Sequence, residues 1–119
     1  MALCIAACTE AVAHEMVPTY PKFEPSHLPE VYVTTMKMFN KREEVQYYEI
    51  DVYDEEWNEI PFVTSYSILK MEYLDTVEFD LYINKSDKDR VEYICSTSKL
   101  TKQNRTITAV KSRICSRVK

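Results

Sequence analysis

The sequence predicts an α+β fold: an N-terminal helix over residues 1–17, a proline-rich arm over 18–30, and an antiparallel β-meander of about five to six strands over 31–119. Three features predict it. An apolar stripe at helical spacing opens the chain, four of the five prolines fall between positions 18 and 30, and a period of two dominates the remaining residues. At 119 residues one domain can bury a real core.

In the first segment Ile5, Cys8, Val12 and Met16 recur at 3, 4 and 4, which places them on one helical face. That stripe is the expected oligomer interface or docking face, packed in cis or in trans. Pro18 ends it. The arm carries Pro18, Pro21, Pro25 and Pro29, which favour a stiff extended backbone without ladder bonds of its own. Such an arm folds back on its own sheet by default, or reaches a neighbouring copy.

From Val31 the pattern is that of strands. Val31, Val33 and Thr35 alternate with Tyr32, Thr34, Met36 and Met38. Asn40 to Arg42 turns the chain into an acidic run in which Gln46, Tyr48, Ile50 and Val52 share one face and Tyr47, Glu49, Asp51 and Tyr53 the other. Asp54 to Asn58 is the next turn, and Pro61 suits a strand start or an edge. Phe62 to Tyr73 shows no clean period. Val77, Phe79, Leu81 and Ile83 then alternate with Glu78, Asp80 and Tyr82, and Val91 to Thr97 is again a strand. Near the end, Ile107, Val110, Ile114 and Val118 have helical spacing, yet residues 110–119 also alternate; β-branched content favours a strand.

The chain has no glycine, which removes glycine-rich phosphate loops, the dinucleotide fingerprint and the nucleophile elbow together. Net charge is only −4, but eight acids and no base lie between Glu43 and Glu59, and seven bases and no acid between Ser96 and Lys119. This asymmetry implies internal pairing of the two segments or two surfaces for different partners.

The nine tyrosines and the acids select a partner-binding surface of Tyr47, Glu49, Asp51, Tyr53, Glu78, Asp80 and Tyr82. Clustered carboxylates can also hold a divalent cation, but no lysine follows either run at the spacing of a nuclease, so no metal or cofactor is expected. A basic face of Lys111, Arg113, Arg117 and Lys119 could contact phosphates. No aromatic is interleaved after Tyr93, which argues against nucleic acid and leaves pairing with the acids as the alternative.

Cys4, Cys8, Cys95 and Cys115 lack both a disulfide-framework spacing and a zinc-knuckle spacing; buried, reduced thiols in a cytoplasmic or virion interior are expected. The Ile5-Ala6-Ala7-Cys8 string has no basic residue before it and too short an apolar run for a signal peptide, and no run approaches membrane-spanning length.

These features predict a non-enzymatic protein-interaction module, self-assembling or a subunit of a larger complex, of a kind that suits a small viral or phage accessory protein. Two alternatives remain: an inhibitor presenting Glu49, Asp51, Glu78 and Asp80 to a basic nucleic-acid-binding groove, and a carboxylate-dependent metal hydrolase.

Overall fold

The computed structural model describes residues 14–43, 45, 47–99 and 112–118. In chain order the elements are β1 (Glu15–Val17), β2 (Glu24–Pro25), β3 (Val31–Phe39), β4 (Tyr47–Tyr53), β5 (Val63–Thr64), β6 (Ile68–Lys70), β7 (Thr76–Asn84), the single-turn α1 (Lys85–Lys88), β8 (Tyr93–Lys99) and β9 (Arg113–Arg117). They form two antiparallel sheets. One runs β1-β3-β7-β5, with β2 also on β3; the other runs β6-β4-β8-β9.

Each long strand buries one side, as a period of two requires. Met36 and Met38 from β3 and Phe79, Leu81 and Ile83 from β7 meet Tyr48, Ile50 and Val52 from β4 and Ile94 from β8 in one core. Burying each such side chain contributes about 1.5–3 kcal/mol. The architecture is a β-sandwich rather than the expected α+β meander. Alternation shows that a strand has one buried face, but two facing sheets satisfy it as well as one sheet under a helix. Here β3, β4, β5, β6, β7 and β8 change sheet at every step, so most ladders join strands distant in sequence.

The expected N-terminal helix is also overturned. Glu15–Val17 is a strand paired with Lys37–Phe39, and Met16 enters the core opposite Met38. Ile5, Cys8 and Val12 lie outside the described residues. The free edge of β3 supplies ladder partners that outweigh a helical spacing resting on few residues. The proline-rich arm runs along its own domain: Glu24 and Pro25 pair with Val33 and Tyr32, and Thr19 O accepts a bond from Arg117 N at 3.0 Å. The chain thus passes from the edge of the first sheet to β9 of the second, with a cis Val17–Pro18 bond at the crossing.

Lacking glycine, the chain places Glu30, Trp57 and Leu74 at φ of 64°, 66° and 70°. Left-handed backbone costs a side-chain-bearing residue about 1–2 kcal/mol, so each needs support from its surroundings. Leu74 is held by N–H donation to Asn40 O at 2.8 Å. Asn40 is a buried hub. Its Nδ2 donates to the carbonyls of Val45, Met71 and Glu72 at 2.8, 3.1 and 3.3 Å, while its Oδ1 accepts from Arg42 N at 2.9 Å and Tyr48 Oη at 2.6 Å.

The cysteine expectation is corrected as well. Cys95 and Cys115 are opposite each other on β8 and β9 and form a disulfide, with Cα atoms 4.0 Å apart. Ser98 N donates to Ser112 O, opposite it in the ladder, so the alternating bond pattern puts 95/115 at a non-hydrogen-bonded pair, where Cα atoms approach most closely. Linear spacing could not show this, because the pairing depends on β8 and β9 being neighbours.

Candidate protein-binding face

The outer face of the second sheet gathers four of the seven residues expected from the sequence to bind a partner. Ladder register sets them in rows. Tyr47 lies between Lys70 and Lys99, Glu49 between Ile68 and Thr97, Asp51 beside Cys95, and Tyr53 beside Tyr93. On β9, Arg113 is opposite Thr97 and Arg117 opposite Tyr93. Thus Tyr47, Glu49, Asp51 and Tyr53 share one half-buried face, as the alternation predicts.

Trp57 completes this face from the β4–β5 loop. Asp54 shapes the loop: its carboxylate accepts from Glu56 N and Asn58 N, both at 2.9 Å, and its carbonyl accepts from Trp57 N at 3.0 Å. The bond from the Asn58 backbone amide above all, with those from the Asn58 side chain and Glu56 N, holds the Asp54 carboxyl below the usual range. The indole stacks on Tyr93 at 4.2 Å between centroids and 4° between planes, and meets Tyr53 at 5.5 Å. The Arg113 guanidinium lies 5.5 Å from the Tyr53 ring and 5.8 Å from Trp57. Trp57 nevertheless remains 47% exposed.

Charge on this face is partly paired within the chain. Lys99 pairs with Glu49 at 3.5 Å and Arg117 with Glu92 at 2.8 Å. Burial pushes the Asp51 carboxyl up, Glu49 and Glu59 push it further, and Arg113 and Lys99 oppose them. Tyr53 is raised mainly by burial, then by Asp51. The acidic and basic segments therefore pair at Glu49–Lys99, between β4 and β8, whereas Glu92, the partner of Arg117, lies outside the acidic run.

The remaining expected site residues are elsewhere. Glu78, Asp80 and Tyr82 face outward from β7, on the opposite side of the sandwich from Glu49 and Asp51. The proposed four-acid surface is therefore split between two sheets. Asp80 accepts from Thr35 Oγ1 at 2.6 Å, and Tyr82 lines an apolar cleft of about 440 Å³ with Leu28, Val31, Pro61, Phe62 and Val63. Among the described residues no group of three or more His, Cys, Asp or Glu could hold a metal ion. Met16 is buried rather than presented as an oligomer interface. Of the basic face, Arg113 and Arg117 project from β9 toward aromatic and acidic neighbours of their own chain, and Lys111 and Lys119 lie outside the described residues. Sequence reasoning missed Trp57 and Tyr93. A sole tryptophan in a polar turn was the available signal for the first; nothing linear joins Tyr93 to it.

Two solved structures are similar to this chain in fold. The E. coli chaperone DraB superposes with a TM-score of 0.65 at 11% identity, over 90% of this chain and 53% of that one. The periplasmic chaperone SfaE gives 0.55 at 14% identity, over 87% of this chain and 54% of that one. The fold is similar to that of chaperones. The chain spans about half the length of either structure. No protein-family model matches the sequence, and no curated protein sequence does. Among the described residues no helix is long and apolar enough to cross a membrane.

Proposed function

We propose that this β-sandwich is a non-enzymatic protein-binding module whose anchor is Trp57, framed by Tyr53, Tyr93 and Arg113. The observation that carries the proposal is a half-exposed tryptophan at φ 66°, held stacked on Tyr93 by a hydrogen-bonded loop. Leu74 is also exposed at a left-handed position, but Trp57 alone of the two is stacked on an aromatic ring and lies beside a guanidinium, the grouping that recurs at interfaces. Trp, Tyr and Arg are the residues that dominate binding energy at interfaces, and here they are already ordered, so little rotamer freedom is lost on docking. Glu49, Asp51 and Glu59 border the cluster and would favour partners with basic groups at the rim. The likeness to chaperones supports a protein-interaction role, and a subunit role in a larger assembly would use the same surface. The Cys95–Cys115 disulfide fits an oxidising compartment.

The test compares capture of proteins from an extract of the native source by the wild-type chain, Trp57→Gly and Asp80→Asn. Glycine accepts the backbone of position 57 while deleting the anchor. Capture should be lost with Trp57→Gly and kept with Asp80→Asn. Equal capture by all three would refute the assignment.

A further inference from the structure

The outer face of the first sheet carries the apolar cleft, which shares no residue with the Trp57 cluster. Ladder register sets its floor. Val31 is opposite Asn84, and Val33 lies between Glu24 on β2 and Tyr82 on β7, with Val63 of β5 beyond Tyr82. Opposed residues share a face, so these side chains point out of the sandwich while Met36, Leu81 and Ile83 fill the core. Leu28 from the β2–β3 loop and Phe62 from the β4–β5 loop complete a lining that encloses about 440 Å³.

Small-molecule sites enclose about 300–1,000 Å³ and are mostly apolar with a few polar groups. The polar groups here are His27, the Tyr82 phenol and the Asn84 amide; no Lys, Arg, Asp or Glu lines the cleft. Asn84 makes no side-chain capping bond to α1, so its amide is available to a ligand. Leu28 and Val63 remain 48% and 67% exposed, apolar area that a ligand body would cover.

Charge around the cleft selects the sign of that ligand. Asp80 is two residues from Tyr82 on the same outward side, about 7 Å along the strand, and Glu24 is two strands across from Tyr82. Thr35 Oγ1 donates to Asp80 Oδ1 at 2.6 Å and fixes the carboxylate on this face. Among the described residues neither acid has an ion-pair partner, whereas Glu15, Glu49 and Glu92 each have one. Lys37, the base of β3, is opposite Glu78, one row farther from Tyr82 than Asp80 is. At the other end Glu30 and Lys85, joined by Lys85 N donating to Glu30 O at 2.9 Å, offset each other in charge.

We propose that this cleft binds a small organic cation, its aromatic body seated among Leu28, Val31, Phe62 and Val63 and its ammonium group directed to Asp80. Burial of the body supplies most of the affinity, and the carboxylates discriminate cation from anion. The site stands whether or not Trp57 anchors a protein partner.

NMR titration of the isotope-labelled full chain with naphthylethylamine, naphthylethanol and naphthylacetate tests it. The amine should shift the Leu28, Val31 and Val63 methyl signals together, saturating with a Kd of about 1 mM or tighter for a ligand of this size. The alcohol should bind about threefold more weakly, and the acetate more weakly still. Asp80→Asn keeps an acceptor for Thr35 and should erase the preference for the amine over the alcohol. Val63→Lys sets a like charge at the cleft and should weaken the amine at least about threefold, with the far-UV spectrum unchanged. Shifts confined to the Trp57, Tyr53 and Tyr93 signals, or equal binding of the amine and the acetate, would overturn the proposal. So would an amine preference untouched by Asp80→Asn; should that variant fail to fold, Val63→Lys decides.

Discussion

Acidification should destabilise this protein through His14 over a window that opens well above the carboxylate range. The imidazole is 1% exposed, packs against Tyr48 at 4.4 Å, and has Nε2 at 2.8 Å from Ser96 Oγ and 3.3 Å from Ser96 O. Its Nδ1 has no hydrogen-bond partner among the described residues. Burial lowers its pKa from 6.5 to about 4, with the Ser96 carbonyl opposing and the Arg42 charge assisting. The unfolded chain therefore binds a proton that the folded chain refuses, and stability falls as pH drops through the unfolded value. At 1.36 kcal/mol per unit the gap amounts to about 3 kcal/mol, intact above pH 6.5 and lost by about pH 4. Between pH 7.5 and 4.5 the loss should be about 2.5 kcal/mol. Urea titrations of the wild type and His14→Gln at both pH values measure it, because the contribution of the acids cancels in the difference. NMR titration of the ring, resolved from His27, supplies a direct check. A His14 signal titrating near 6.5 in the folded protein, or pH profiles that run parallel, would refute the reasoning.

Two further perturbations probe the hydrogen-bond hub and the crosslink. Asn40→Ala removes the shared partner of the Val45 and Met71 carbonyls and should cost about 3–4 kcal/mol by urea denaturation at pH 7; a cost under about 1 kcal/mol would show that the hub is dispensable. Replacing Cys95 and Cys115 by alanine releases a closure of 20 residues and should lower stability by about 3 kcal/mol, visible as an earlier thermal midpoint, whereas an unchanged midpoint would mean that the crosslink constrains little in the unfolded chain.

How much of the fold is legible in the sequence differs from element to element. The alternation in Tyr47–Tyr53 and Val77–Ile83 assigned every inward and outward side chain correctly, because the period of a strand is a local steric property. Turns at Asn40–Arg42 and Asp54–Asn58 were visible for the same reason: Asn and Asp bond their own neighbouring backbone. The stripe containing Met16 misled, since helical spacing over one short segment cannot compete with an open strand edge nearby. The acid cluster misled differently. It assumed that Glu49 and Glu78 belong to adjacent strands, and adjacency is a tertiary decision.

The sequence by itself determined which side of each long strand is buried, where the chain turns, and that glycine-dependent phosphate and nucleophile sites are absent, because those depend on residues within a few positions of one another. Only the tertiary structure decided that the strands divide into two facing sheets, that Cys95 meets Cys115, and that Trp57, Tyr93, Tyr53 and Arg113 converge. Those outcomes depend on which strands become neighbours, and neighbour choice is set by closing one shared core around Tyr48, Met36, Leu81 and Ile94, a condition no local stretch of the chain contains.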